Sequence, residues 1–143
     1  MTDQWIKGSC LCGDISYKVK DIGERMGHCH CSMCRKFHGA AYATFGEVSA
    51  ENFVWTKGES QVASFKGENG TIRKFCPNCG SSLIFEASGA SGEIVEFALA
   101  TLDDEVPLNP DAHIYTDYKA SWAFVDDGLP CYHEGRDGEP IKK

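Results

Sequence analysis

The chain has no run of about 18 apolar residues, so it offers no helix able to cross a bilayer. Its first residues, MTDQWIKGSC, lack the basic, apolar, small-residue order of a secretory leader. Positive charge is scarce: 14 Lys and Arg stand against 21 Asp and Glu, for a formal net charge of −7. The densest basic steps are the pairs Arg35-Lys36, Arg73-Lys74 and Lys142-Lys143. A nucleic-acid face needs far more, so neither a nucleic-acid partner nor a membrane is expected. Also missing is any stretch of about 12 residues with sustained 3.6-residue apolar periodicity, which argues against long helices. No linker, low-complexity tract or internal repeat interrupts the 143 residues, which reads as one domain over 1–143.

Cysteine is the exception to this plain composition. There are eight, Cys10, Cys12, Cys29, Cys31, Cys34, Cys76, Cys79 and Cys131. In a small secreted protein an even count suggests a disulfide framework. Here the spacing favours metal. Seven of the eight fall into C-x-C, C-x-C-x-x-C and C-x-x-C groups. Cysteines two apart in extended chain point the same way, which suits a shared ion better than a loop-closing bridge. With no leader, the expected location is the cytoplasm, where thiols stay reduced.

The apolar pattern around these groups is that of strands. DISYKVK (14–20) alternates, with Ile15, Tyr17 and Val19 on one face. AYATFGEV (41–48), SLIFEA (82–87) and the start of EIVEFALATL (93–102) read as further strands, the last with a helical turn at its end. Asn69-Gly70 is a strong hairpin signal between SQVASFKG and TIRKFC. SMCRKFHG (32–39) allows one or two turns of helix, and SAEN (49–52) a short turn capped by Ser49. FVWTKGE (53–59) is apolar and then turn-like, and the segment after Leu102 is mostly loop with one or two short strands. The fold class is mainly β and antiparallel, with metal knuckles at strand turns and few short helices.

The most specific signal is FCPNCGSS (75–82). In a C-P-x-C-G knuckle proline pre-sets the turn and glycine permits the positive φ that follows, so both thiolates reach one ion. A redox C-x-x-C normally opens a helix; here Gly80 breaks the helix and a strand follows. GSCLCG (8–13) adds Cys10 and Cys12, which with Cys76 and Cys79 make a four-cysteine set suited to a tetrahedral, structural zinc. HCHCSMCRK (28–36) supplies Cys29, Cys31 and Cys34 for a second zinc. Three protein ligands with one open position are the catalytic pattern; a fourth protein ligand would make the site structural. His28, His30, His38, His113 and Cys131 are the candidates for closing it. His28 and His30 alternate with the cysteines and point away from their metal in extended chain, and Cys131 is most simply a small buried apolar residue.

The order GSCLCGDISY, CHCSMCRKFHGA, FCPNCGSSL and HIYTDYKASWAFVDDGLP resembles the glutathione-dependent formaldehyde-activating (centromere protein V-like) family, over roughly Ile6 to Leu129. In the last stretch Lys119-Ala120-Ser121-Trp122 stands where relatives often have a proline before the tryptophan. The resemblance implies a β-tent of small coiled sheets. It also implies two zinc ions, a structural one on Cys10, Cys12, Cys76 and Cys79 and a catalytic one on Cys29, Cys31 and Cys34. The implied activity is of the carbon–sulfur lyase type: it joins glutathione, or a similar thiol, to formaldehyde as an S-hydroxymethyl adduct. Arg35 and Lys36, directly after Cys34, are candidates to pair with glutathione carboxylates; plain solvation is the competing reading. His113, Tyr115 and Asp117 are candidate proton donors, or simply hydrogen-bonding loop residues. Two rival classes of function stand beside the enzyme: a non-enzymatic zinc-binding module or glutathione carrier, and a redox zinc–thiolate switch.

Overall fold

The structure, a computed structural model, describes residues 4–142. In chain order its strands are β1 (Ile6–Ser9), β2 (Ser16–Val19), β3 (Gly27–Cys29), β4 (Ala43–Ser49), β5 (Phe53–Lys57), β6 (Ala63–Lys66), β7 (Ile72–Phe75), β8 (Ser82–Glu86), β9 (Ile94–Ala98) and β10 (Ala112–Ile114). One α-helix, α1 (Ser32–His38), and 3-10 turns at Ala50–Asn52, Glu59–Gln61, Leu99–Thr101 and Thr116–Tyr118 complete the described residues. The fold is mainly β. Among the described residues no helix is long and apolar enough to cross a membrane. The contacts group into two compact units, Met1–Gly23 with Gly46–Pro107, and Glu24–Phe45 with Leu108–Lys143.

The first unit holds an antiparallel sheet in the order β1-β2-β5. It also holds the meander β6-β7-β8-β9, antiparallel throughout. The alternation of DISYKVK places Ile15, Tyr17 and Val19 in a buried cluster with Val48, Leu83, Ile84 and Phe97. Cys10 and Cys76 belong to the same cluster. Tyr17 stacks on Phe53, ring centroids 5.0 Å apart, and meets Trp55 edge-on at 6.3 Å. Its hydroxyl shares a 2.5 Å hydrogen bond with Thr101 Oγ1, which satisfies the one polar atom of a buried ring. Gly8 lies opposite Tyr17 in the β1-β2 pairing, and a Cβ there would run into the Tyr17 ring. The Asn69-Gly70 turn forms as expected between β6 and β7, with Gly70 at φ +89 and Asn69 Oδ1 accepting from the Thr71 N–H.

The second unit is organised by β3, with β10 parallel on one side and the start of β4 antiparallel on the other. The helix α1 follows β3 directly, and its N–H groups begin under the Cys31 side chain, which accepts from the Cys34 N–H. Gly39 ends it in the left-handed conformation (φ 59, ψ 41), donating its N–H to the Arg35 carbonyl, the usual glycine stop.

Two segments differ from expectation. The apolar part of FVWTKGE, Phe53–Lys57, is strand β5, because Phe53 and Trp55 pack against the core while β2 supplies its backbone partners, and Gly58 and Glu59 make the expected turn. Ile6–Ser9 is a strand as well. Its own pattern is weak, and pairing with β2 makes it one. Cys131 is half-buried rather than buried.

Candidate functional site

The first unit brings Cys10, Cys12, Cys76 and Cys79 together, with all four sulfurs within 4.8 Å of one another. The Cys10–Cys12 and Cys12–Cys76 sulfur distances are 3.7 and 3.8 Å. Metal–sulfur bonds of about 2.3 Å at tetrahedral angles put sulfurs about 3.8 Å apart, so the set has the dimensions of a closed four-thiolate site. The knuckle is shaped by its backbone: the Gly80 N–H donates to the Cys76 carbonyl at 2.7 Å, and the Cys76 N–H to the Ser81 carbonyl at 3.0 Å. Gly80 adopts φ +81, which a side chain would resist. The sulfurs are supported from outside, Cys10 by the Ile15 N–H at 3.3 Å and Cys79 by the Ser81 hydroxyl at 3.3 Å. The Ser81 hydroxyl, joined by backbone N–H donors, lowers the Cys79 pKa to about 5. Burial pushes Cys76 up to about 11, a cost that a bound cation would remove.

The second unit brings Cys29, Cys31 and Cys34 together, again within 4.8 Å. β3 delivers Cys29, the helix cap delivers Cys31, and the first turn of α1 delivers Cys34. Cys29 and Cys34 are buried and Cys31 is half-buried. Hydrogen bonding with Cys31 and Cys34, together with burial, raises the Cys29 pKa well above the ordinary thiol value. Three thiols this close resist shedding their protons unless a cation takes their place.

None of the five candidates for a fourth ligand joins the three-sulfur group among the described residues. His30 Nε2 shares a 2.8 Å hydrogen bond with His113 Nδ1. His28 Nδ1 pairs with Thr44 Oγ1 at 2.7 Å. His113 Nε2 pairs with Asp127 Oδ2 at 2.8 Å. His38 packs edge-on against Phe45, ring centroids 5.5 Å apart. The Cys131 thiol donates to the Leu129 carbonyl at 3.7 Å. Burial, with the neighbouring His113, lowers the pKa of both His28 and His30 to about 4.

Of the tail candidates, Asp117 accepts from the exposed His133 at 2.6 Å, and His113 belongs to the histidine cluster. Tyr115 is the one held in the field of the triplet: burial first, then the charges of Cys29, Glu134, Cys31 and Cys34, raise its pKa. Arg35 and Lys36 line a cavity of about 210 Å³ with Gly39, Ala40 and Trp122. Arg35 Nε is buried with no hydrogen-bond partner. Asp127 and the clustering of three histidines were invisible in the sequence, since no short spacing links positions 28, 113 and 127.

A mainly β scaffold that gathers seven cysteines into a four-sulfur and a three-sulfur set is that of a protein able to hold metal through thiolates. The family model of the glutathione-dependent formaldehyde-activating enzyme matches residues 5–118, and the chain belongs to that family. A protein of Halomonas elongata, provisionally named a glutathione-dependent formaldehyde-activating enzyme, is 26% identical over 130 residues, 85% of this chain and 81% of its own length. An uncharacterized lyase of Schizosaccharomyces pombe is 27% identical over 79 residues, covering 55% of this chain and 56% of its own. A Rhodobacter sphaeroides protein of known crystal structure shares the fold, with a TM-score of 0.59 at 21% identity over 71% of this chain and 92% of that one.

Proposed function

We propose that this chain is a carbon–sulfur lyase-type enzyme that joins glutathione, or a similar thiol, to formaldehyde at a zinc held by Cys29, Cys31 and Cys34. A second zinc on Cys10, Cys12, Cys76 and Cys79 is structural. The observation that carries the reading is the three-sulfur set itself, which none of His28, His30, His38, His113 and Cys131 joins among the described residues. Cys29, Cys31 and Cys34 would hold the zinc, and the ion would supply a fourth position suited to a thiol in its thiolate form.

The chemistry balances without a further reactant. The thiol loses its proton, its sulfur pair forms the bond to the carbonyl carbon, and the carbonyl oxygen takes a proton to become the hydroxyl. The chain's own residues orient the thiol. Arg35 and Lys36 sit one and two residues after Cys34, on a cavity that Trp122 also lines. Their positive charge suits the carboxylates of glutathione, an anion that the net charge of −7 would otherwise repel.

X-ray absorption at the zinc edge, with and without glutathione, tests the site. A fourth sulfur appearing on one zinc, and lost in Cys31→Ser, is the expected result. An unchanged spectrum at saturating glutathione overturns it. A non-catalytic thiol-binding module is the second reading, favoured by the exposure of Trp122 (73%) and Phe124 (87%). It predicts the same absorption change, with adduct formation no faster than the reaction in buffer.

A further inference from the structure

Strand β3 and the residues after it carry donors on two faces. Cys29 and Cys31 take one side, and His28 and His30 the other, because successive residues of extended chain point oppositely. On the histidine side the strand pairing assembles a second group. β10 runs parallel to β3 in a register that sets His113 beside His28. β4 runs antiparallel in a register that sets Thr44 against His28 from the other side. Asp127 reaches His113 from the loop that follows, so that ligand atoms of His28, His113 and Asp127 all lie within 4.8 Å of one another.

We propose that His28, His113 and Asp127 form a binding site for a divalent first-row transition ion, separate from both cysteine sets. The site does not depend on the thiol chemistry proposed above.

The orientation of the rings is the first support. His28 Nδ1 is held by Thr44 Oγ1 at 2.7 Å, and His113 Nδ1 by His30 Nε2 at 2.8 Å. Each imidazole is anchored through Nδ1, which leaves Nε2 to face an ion, and metal-binding histidines are typically fixed in this way by an outer partner. The two rings lie 4.6 Å apart, tilted by 31°, so they address a common space.

The second support is the carboxylate. Asp127 Oδ2 already lies 2.8 Å from His113 Nε2. Bonds of about 2.0–2.2 Å at tetrahedral angles need donors about 3.3 Å apart. Asp127 is steadied by the Leu129 N–H on its other oxygen, and its side chain is 45% exposed. A shift of about half an ångström at that solvent edge would make the room.

The donor set selects the ion. Two imidazoles and one carboxylate suit zinc, ferrous iron, cobalt or nickel. They do not suit calcium or magnesium, which prefer oxygen alone, or soft cuprous copper, which prefers sulfur. Binding also leaves the proton count unchanged. With His113 donating from Nε2 to Asp127 and His30 from Nε2 to His113, the hydrogen of each ring would pass to its own Nδ1 on binding. His30 is fully buried, and its Nδ1 has no hydrogen-bond partner among the described residues.

The test uses the full chain, loaded with zinc on its thiolates and then titrated with Co²⁺ by calorimetry and visible absorption. One further equivalent is expected, with the weak bands of nitrogen and oxygen coordination and no strong sulfur-to-cobalt charge transfer. Asp127→Asn keeps an acceptor for His113 at a partly exposed position, so the fold survives, and the affinity drops at least tenfold. Thr44→Val removes only the outer anchor of His28 and lowers the affinity about tenfold, the usual effect of losing such a partner. No additional equivalent in the parent protein overturns the site. So does cobalt that appears only with thiolate charge transfer, or binding equally tight in parent, Asp127→Asn and Thr44→Val.

Discussion

Replacing Cys76 with serine probes the proposed structural zinc at its most buried ligand. Cys76 is fully buried in the core of the first unit, and its sulfur lies 3.8 Å from that of Cys12. A serine hydroxyl stays protonated at neutral pH and is a poor fourth ligand. Structural zinc in finger peptides is worth about 10–16 kcal/mol of apparent binding energy. One ligand of four is then about 2.5–4 kcal/mol. The hydroxyl left in an apolar pocket adds about 1–3 kcal/mol if it finds no partner. For a chain of this size each kcal/mol moves the midpoint by about 2–4 °C, so a fall of at least about 5 °C is expected. Thermal melting followed by circular dichroism, with zinc quantified on the same sample, reads both consequences. A Cys76→Ser protein that melts with the parent and keeps its full zinc would refute the reasoning.

Three further outcomes are expected. Cys31→Ser should lose about one equivalent of zinc, as a three-ligand site requires, yet melt close to the parent, because its neighbours lie outside the core cluster of the first unit; unfolding as severe as that of Cys76→Ser would contradict the division of the two sites. Gly8→Ala should lower the melting midpoint by the equivalent of about 1–3 kcal/mol, the range for overpacking, since the new methyl meets the buried Tyr17 ring; an unchanged midpoint would show that the ring can move. Asp111 is pushed up by burial, but its two bonds to Arg136, at 2.6 and 2.9 Å, hold its pKa below the ordinary 3.8. A depressed carboxylate contributes stability above its unfolded pKa and loses it as pH falls through the folded one. Arg136→Met should therefore cost about 1 kcal/mol at neutral pH, and its deficit against the parent should shrink below about pH 4; a deficit constant down to pH 2 would show that the ion pair is not its origin.

The three cysteine groups were legible because metal knuckles are local. Two ligands within two to five residues share one turn, and Pro77, Gly80 and the short helix after Cys31 fix that turn with their own backbone preferences. The alternation of Ile15, Tyr17 and Val19 and the turn at Asn69-Gly70 were legible for the same reason. The joining of Cys10 and Cys12 to the knuckle could be anticipated from the need for four ligands. Ile6–Ser9 and Phe53–Lys57 were not read as strands, because a short segment beside Tyr17 becomes one only when β2 offers hydrogen bonds and a surface to bury against. Least legible was the histidine cluster. His28 and His113 are separated by 85 positions and meet only because β10 pairs with β3 in this register. A slip by one residue would turn His113 to the opposite face. Local spacing determined which residues can hold metal at the cysteines. Long-range strand register, which no short stretch of sequence encodes, decided what stands on the other side of the same strand.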